Sequence, residues 1–117
     1  MSIKNKKIYN LVKKIFIKHK LSSDHAEISA RALLNAEIVG AYGHGLSRLK
    51  MYCDRIKRNV INPKPKIKIK EISQSISHIN ADNSIGFVVA DVAIKKAIQN
   101  AKKTGVGLVA VKNSGHY

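Results

Sequence analysis

Apolar residues in the first half of the chain recur at helical spacing. From Ile3 to Lys20, the residues Ile8, Leu11, Val12, Ile15 and Phe16 fall on one side, with Lys13, Lys14 and Lys18 on the other. This predicts an amphipathic helix, docked on a neighbouring helix rather than lying on a membrane surface. The Ser22-Ser23-Asp24 cluster then offers a cap, with Glu27 placed three residues past Asp24 to reach back in a capping box. A second helix should run to about Val39, with Ala26, Ala30, Leu33, Leu34 and Ile38 on its apolar side, and stop at Gly40. Past the Gly40 to Gly45 loop, Leu46, Leu49, Cys53, Ile56 and Val60 make a third helical stripe, which Asn62-Pro63 and Pro65 must end.

The period then changes. Lysine alternates with Ile67 and Ile69 from Lys66 to Lys70, the pattern of a strand with one wet and one buried face. A second alternating run spans Ile72 to Ile79, and Ser73-Gln74-Ser75 can turn the chain between the two in a hairpin. Asp82, Asn83 and Ser84 supply cap chemistry for a fourth helix, whose Val89, Ala90, Ala93, Ile94, Ala97, Ile98 and Ala101 share a side up to Gly105. The continuous apolar run Val106 to Val111 predicts a buried strand. Helices, a short hairpin, then helix and strand make an α+β chain, with no internal repeat and no low-complexity linker.

At 117 residues, one domain over 1–117 with one core is expected. The 44% hydrophobic and 25% charged shares are those of a globular chain, which argues against disorder or a fibrous repeat. The net charge of +15 changes the picture most, since it raises the rival reading of a small basic nucleic-acid-binding protein. Only Arg31, Arg48, Arg55 and Arg58 are arginines, however, and the lysines are spread from Lys4 to Lys112, so a solvated surface is favoured over a binding stripe. The single Cys53 excludes an intrachain disulfide and falls on an apolar stripe, as a core residue does. Lysines interrupt the apolar positions near the amino terminus, leaving neither a signal-peptide core nor a membrane span, so a soluble cytoplasmic protein is expected.

Candidate chemistry is concentrated at Gly43-His44-Gly45-Leu46-Ser47-Arg48. Glycine on both sides leaves the His44 ring uncrowded, and a helix starting near Gly45 would align His44, Arg48 and Tyr52 along one face. Arg48 can grip a carboxylate with two parallel hydrogen bonds while a histidine serves the adjacent carbonyl or hydroxyl of a 2-oxo or 2-hydroxy acid. The competing reading is a capping histidine and a surface arginine. His116 follows the last apolar strand, where ligands bind in open α/β sheets, although an exposed terminal histidine would look the same. Gly105-x-Gly107-x-x-Ala110 has the glycine spacing of a dinucleotide fingerprint but follows a helix and opens a strand, the reverse of what that motif needs. His19, His25 and His78 lack metal-ligand spacing, so no metal site is expected.

Several separated stretches carry a resemblance. The runs Ala36-Glu37-Ile38-Val39-Gly40-Ala41-Tyr42-Gly43-His44-Gly45-Leu46-Ser47-Arg48-Leu49, then Tyr52, Val60-Ile61-Asn62-Pro63, Asn80-Ala81-Asp82-Asn83-Ser84-Ile85-Gly86, and Gly105 through Val111-Lys112-Asn113-Ser114-Gly115-His116 are ordered as in the type 2 malate/L-lactate dehydrogenase family, which the chain resembles. The resemblance implies hydride transfer with NAD or NADP on a fold distinct from the Rossmann type, in a homodimer whose subunits both shape the active sites. It places the substrate carboxylate at Arg48. Proton transfer falls to His116 or His44, with His116 favoured as acid/base and His44 positioning the substrate oxygen; no residue is assigned to the cofactor. The family's usual serine before the motif histidine is Gly43 here, and its usual arginine before the first glycine is Val39. Family members are several-fold longer, so the resemblance also implies an incomplete domain, inactive when alone, with an inactive remnant of the dehydrogenase as an alternative.

Overall fold

A computed structural model of the chain describes residues 1–116. Its backbone forms two compact units, one over Met1–Lys64 and one that begins at Pro65.

The first unit opens with α1 (Ile3–Lys18), capped by the Ser2 hydroxyl, and α2 (Ser23–Ile38). Val12 and Phe16 of α1 and Ala26, Ala30, Leu33 and Leu34 of α2 are buried, the centre of the stripe that the helical period selects, whereas Leu11 and Ile38, expected on the same sides, are exposed. The α2 cap differs from the capping box expected at Asp24. Ser22 accepts the His25 N–H, and Glu27 instead takes Lys13 of α1 at 3.2 Å and Arg31 at 3.1 Å. Gly40, at φ +81, follows the end of α2 in the left-handed conformation that glycine adopts without penalty.

The third helix is shorter than its stripe. Two 3-10 turns, Tyr42–His44 and Leu46–Arg48, precede α3 (Leu49–Lys57). Leu46 and Leu49 are both half-buried, since they lie three positions apart and a 3-10 turn preserves that spacing. Tyr52, Cys53 and Ile56 bury the inner side of α3.

The second unit is a three-stranded sheet in the order β1 (Lys68–Glu71), β2 (Ile76–Ser84), β3 (Leu108–Ser114), with α4 (Gly86–Thr104) between β2 and β3 in sequence. β1 and β2 are antiparallel; β2 and β3 are parallel, joined through α4 as a βαβ unit. The hairpin is present, but the turn holds Ile72 to Ser75, because the amides of Ile72 and Ser73 both bond the Ile76 carbonyl. β2 therefore runs to Ser84. Asp82 and Asn83 do not cap α4: both have positive φ, at 51° and 57°, inside an irregularity between Asn80 and Ser84. Asp82 Oδ2 accepts the Lys66 amide at 2.9 Å there, and the residue before α4 is Ile85, which has no side-chain cap. Asp and Asn favour both helix caps and left-handed backbone, and the second property operates here.

Ile79, Ala81 and Val89 form the core of this unit, with Val92, Ala93, Val109 and Val111 against them. Asn100 of α4 donates to Ser77 at 3.0 Å in the interior. Helix α4 covers one face of the sheet. The strands therefore depart from the two expectations of burial: Ile69 is 47% exposed and Leu108 55% exposed, and only alternate residues of β3 are even half-buried. Among the described residues, no helix is long and apolar enough to cross a membrane.

Candidate functional site

In the first unit the 3-10 turns bring His44 and Arg48 onto one short segment, both exposed. Arg48 Nε donates to the Gly43 carbonyl at 2.6 Å, and Arg48 Nη1 lies 3.9 Å from Met51 Sδ. Ser47 Oγ donates to the Tyr42 carbonyl at 2.7 Å. The guanidinium is thus tied by one edge to the backbone next to His44, and the His44 ring has no hydrogen-bond partner among the described residues.

The single helical face expected for His44, Arg48 and Tyr52 is not formed. A 3-10 turn closes in three residues, so residues four apart no longer align. Tyr52, in α3, is 3% exposed and belongs to the interior; burial pushes its phenol up, against the opposing charges of Arg48 and Arg55. Burial likewise raises the Cys53 thiol.

The two glycines beside His44 differ in purpose. A Cβ on Gly43 would meet nothing within 4 Å, whereas one on Gly45 would collide with Glu37 Oε2 and come within 3.3 Å of the Leu33 carbonyl. Sequence reasoning missed the part played by Glu37. Its Oε2 accepts the Leu46 amide at 3.1 Å, a contact across nine residues that no short-range pattern signals.

His116 belongs to the second unit, just past β3, and is exposed. The chain there is placed by backbone contact: the Gly115 amide bonds the Ser84 carbonyl at 2.9 Å, and the carbonyls of Gly115 and His116 lie against Gly86, where a Cβ would come within 2.7 Å of Gly115 O. Asn113, at φ +55, donates from Nδ2 to Asn80 Oδ1 at 3.1 Å. The position at the carboxyl end of a parallel strand is the one expected for a ligand-facing residue.

Gly107 sits where a side chain would strike the Ala97 carbonyl, so this glycine serves close packing of strand on helix. Among the described residues no group of three His, Cys, Asp or Glu is arranged to hold a metal ion.

The sequence model of the malate/L-lactate dehydrogenase family matches residues 3–117. A malate dehydrogenase from Pyrococcus abyssi is 39% identical over 110 residues, covering 94% of this chain and 30% of that protein. Among solved structures, malate dehydrogenase from Pyrococcus horikoshii superposes with a TM-score of 0.93 at 34% identity, over 97% of this chain and 32% of the other. Sulfolactate dehydrogenase from Methanocaldococcus jannaschii gives the same TM-score of 0.93 and 34% identity, over 96% and 33%. The chain spans about a third of the length of the relatives it matches.

Proposed function

Since the chain belongs to the malate/L-lactate dehydrogenase family, we propose that it serves an oxidoreductase that moves a hydride between NAD or NADP and a small 2-hydroxy or 2-oxo acid such as malate or lactate. In this reading residues 1–117 are a single incomplete domain that supplies groups for the acid, and the family-length enzyme is a homodimer.

The observation that carries the reading is the state of Arg48. Its Nε is engaged by the Gly43 carbonyl, which fixes the plane of an exposed guanidinium and leaves Nη1 and Nη2 as a fork for a carboxylate. The Nη1 contact to Met51 sulfur, at 3.9 Å, is too weak to compete with an anion. His44, four residues earlier, holds the substrate's 2-oxygen. His116 is the acid/base: as an imidazolium it gives its proton to the oxygen when the 2-oxo acid is reduced, and as an imidazole it takes that proton back when the alcohol is oxidised. The dinucleotide, when bound, supplies or receives the hydride. No described residue is assigned to its phosphates, because Gly105 and Gly107 end a helix and pack a strand rather than open a helix after one.

A chimera tests this. Residues 1–117 replace the matching third of the Pyrococcus horikoshii malate dehydrogenase, and malate oxidation is followed with NAD and NADP. The chimera should turn over, and Arg48→Ala should lower kcat/KM about a hundredfold, mainly through KM for the acid, as expected for loss of a charge-assisted bidentate contact. His116→Asn should lower kcat by ~10²–10⁴ with little change in KM. An active chimera indifferent to Arg48→Ala sinks the assignment. The 117-residue chain alone is expected to leave NADH unoxidised.

A further inference from the structure

The segment that carries His44 and Arg48 is two successive three-residue turns, too short to hold its shape by its own hydrogen bonds. Neither turn has a side-chain cap from its own preceding residue. The second turn is held from elsewhere. Glu37, in the last turn of α2, accepts the Leu46 amide at 3.1 Å through Oε2. Leu46 N–H is the first donor of that turn, so the carboxylate acts as a cap delivered by a different helix, and a charged acceptor makes the bond stronger than a neutral one.

Gly45 completes the arrangement. It is buried, and the space its side chain would fill is the space Oε2 occupies, with the Glu37 amide 3.2 Å from the same point. The missing side chain at 45 and the carboxylate at 37 are therefore a matched pair. The contacts that follow depend on this seat: the Arg48 amide bonds the Gly45 carbonyl at 3.0 Å, and Arg48 Nε reaches Gly43 O. Glu37 also lines a cavity of about 360 Å³, together with Lys4, Asn5, Ile8 and Leu46 among others.

We propose that Glu37 is a positioning residue for the acid-binding turn: by seating Leu46 against Gly45, it sets the direction of the Arg48 guanidinium without touching the ligand. The proposal rests on the reading of Arg48 given above.

The test uses ¹⁵N NMR of the full 117-residue chain, with oxalate as a carboxylate probe. Glu37→Ala should speed Leu46 amide exchange about tenfold, the effect of losing one bond to a charged group, and move the Arg48 Nε–H signal, while Phe16 and Leu33 keep theirs. Glu37→Gln retains an acceptor and should restore both signals. Oxalate should bind about tenfold more weakly to the Ala variant than to the Gln variant. Unchanged Leu46 and Arg48 signals in Glu37→Ala overturn the proposal, as does loss of the Phe16 and Leu33 signals together with them, which would make Glu37 a general support of the fold. Failure of the parent chain to bind oxalate counts against the acid-site reading, while the Leu46 and Arg48 signals still judge the role of Glu37.

Discussion

In residues 1–64 the groups of interest ride on short turns fixed by side chains, with Glu37 on Leu46, Ser47 on Tyr42 and Arg48 on Gly43. In the unit that begins at Pro65, His116 follows a strand end placed by backbone pressed on backbone, at Gly86 and Gly115, and the strand itself is packed through Gly107. The first arrangement can be retuned by changing a side chain. The second leaves no room for a side chain at Gly86 or Gly107 and only a tight fit at Gly115, so its geometry is set by glycine and is correspondingly brittle.

The difference can be broken or sharpened by substitution, read as amide hydrogen exchange within each unit and as urea unfolding. Phe16→Ala should have the largest effect, a loss of about 4 kcal/mol from a fully buried ring, and should release amides of α1 and α2. Gly86→Ala should cost about 2 kcal/mol, because the new methyl meets two carbonyl oxygens that must move. Gly43→Ala, with open space around it, should change stability by less than about 0.5 kcal/mol. Equal costs at 86 and 43 would end the comparison. Ser22→Ala should cost about 1 kcal/mol through loss of the α2 cap.

The smallest expected effect is one of pH. The hydrogen bond and charge of Lys13 hold the Glu27 carboxyl below its ordinary value of 4.5, with Arg31 and Tyr9 helping. The folded value is the lower one, so the stabilisation is present above pH 4.5 and is lost as pH falls through the folded value. Both partners are partly exposed, so solvent screens the pair and keeps its share small. Lys13→Met should raise the Glu27 midpoint toward 4.5 in carboxyl ¹³C NMR; an unmoved midpoint would show that Lys13 does not set it.

α1, α2 and α4 are legible in the sequence because an apolar stripe sustained over several turns fits only a helix with one buried side, and Gly40 and Gly105 mark the ends of α2 and α4 by positive φ. The segment 42–48 is not, since Leu46 and Leu49 keep an inward spacing whether the turn is α or 3-10. The apolar run at β3 predicts a buried strand, yet burial depends on what covers each face, and the described residues cover one. Of the residues proposed for the site, His44, Arg48 and His116 stand out by residue type and setting. Glu37 stays hidden among the charged residues of a helix, because its partner is a backbone amide nine residues away.

The bond from Arg48 Nε to Gly43 lets one side chain divide its labour: one edge anchors to the protein while the terminal nitrogens make only the weak contact of Nη1 to Met51 sulfur. A lysine at this position would own a single nitrogen on a flexible stem and would have to abandon either the anchor or the carboxylate proposed to bind here. Swapping one cation for the other would therefore preserve charge and still dismantle the grip.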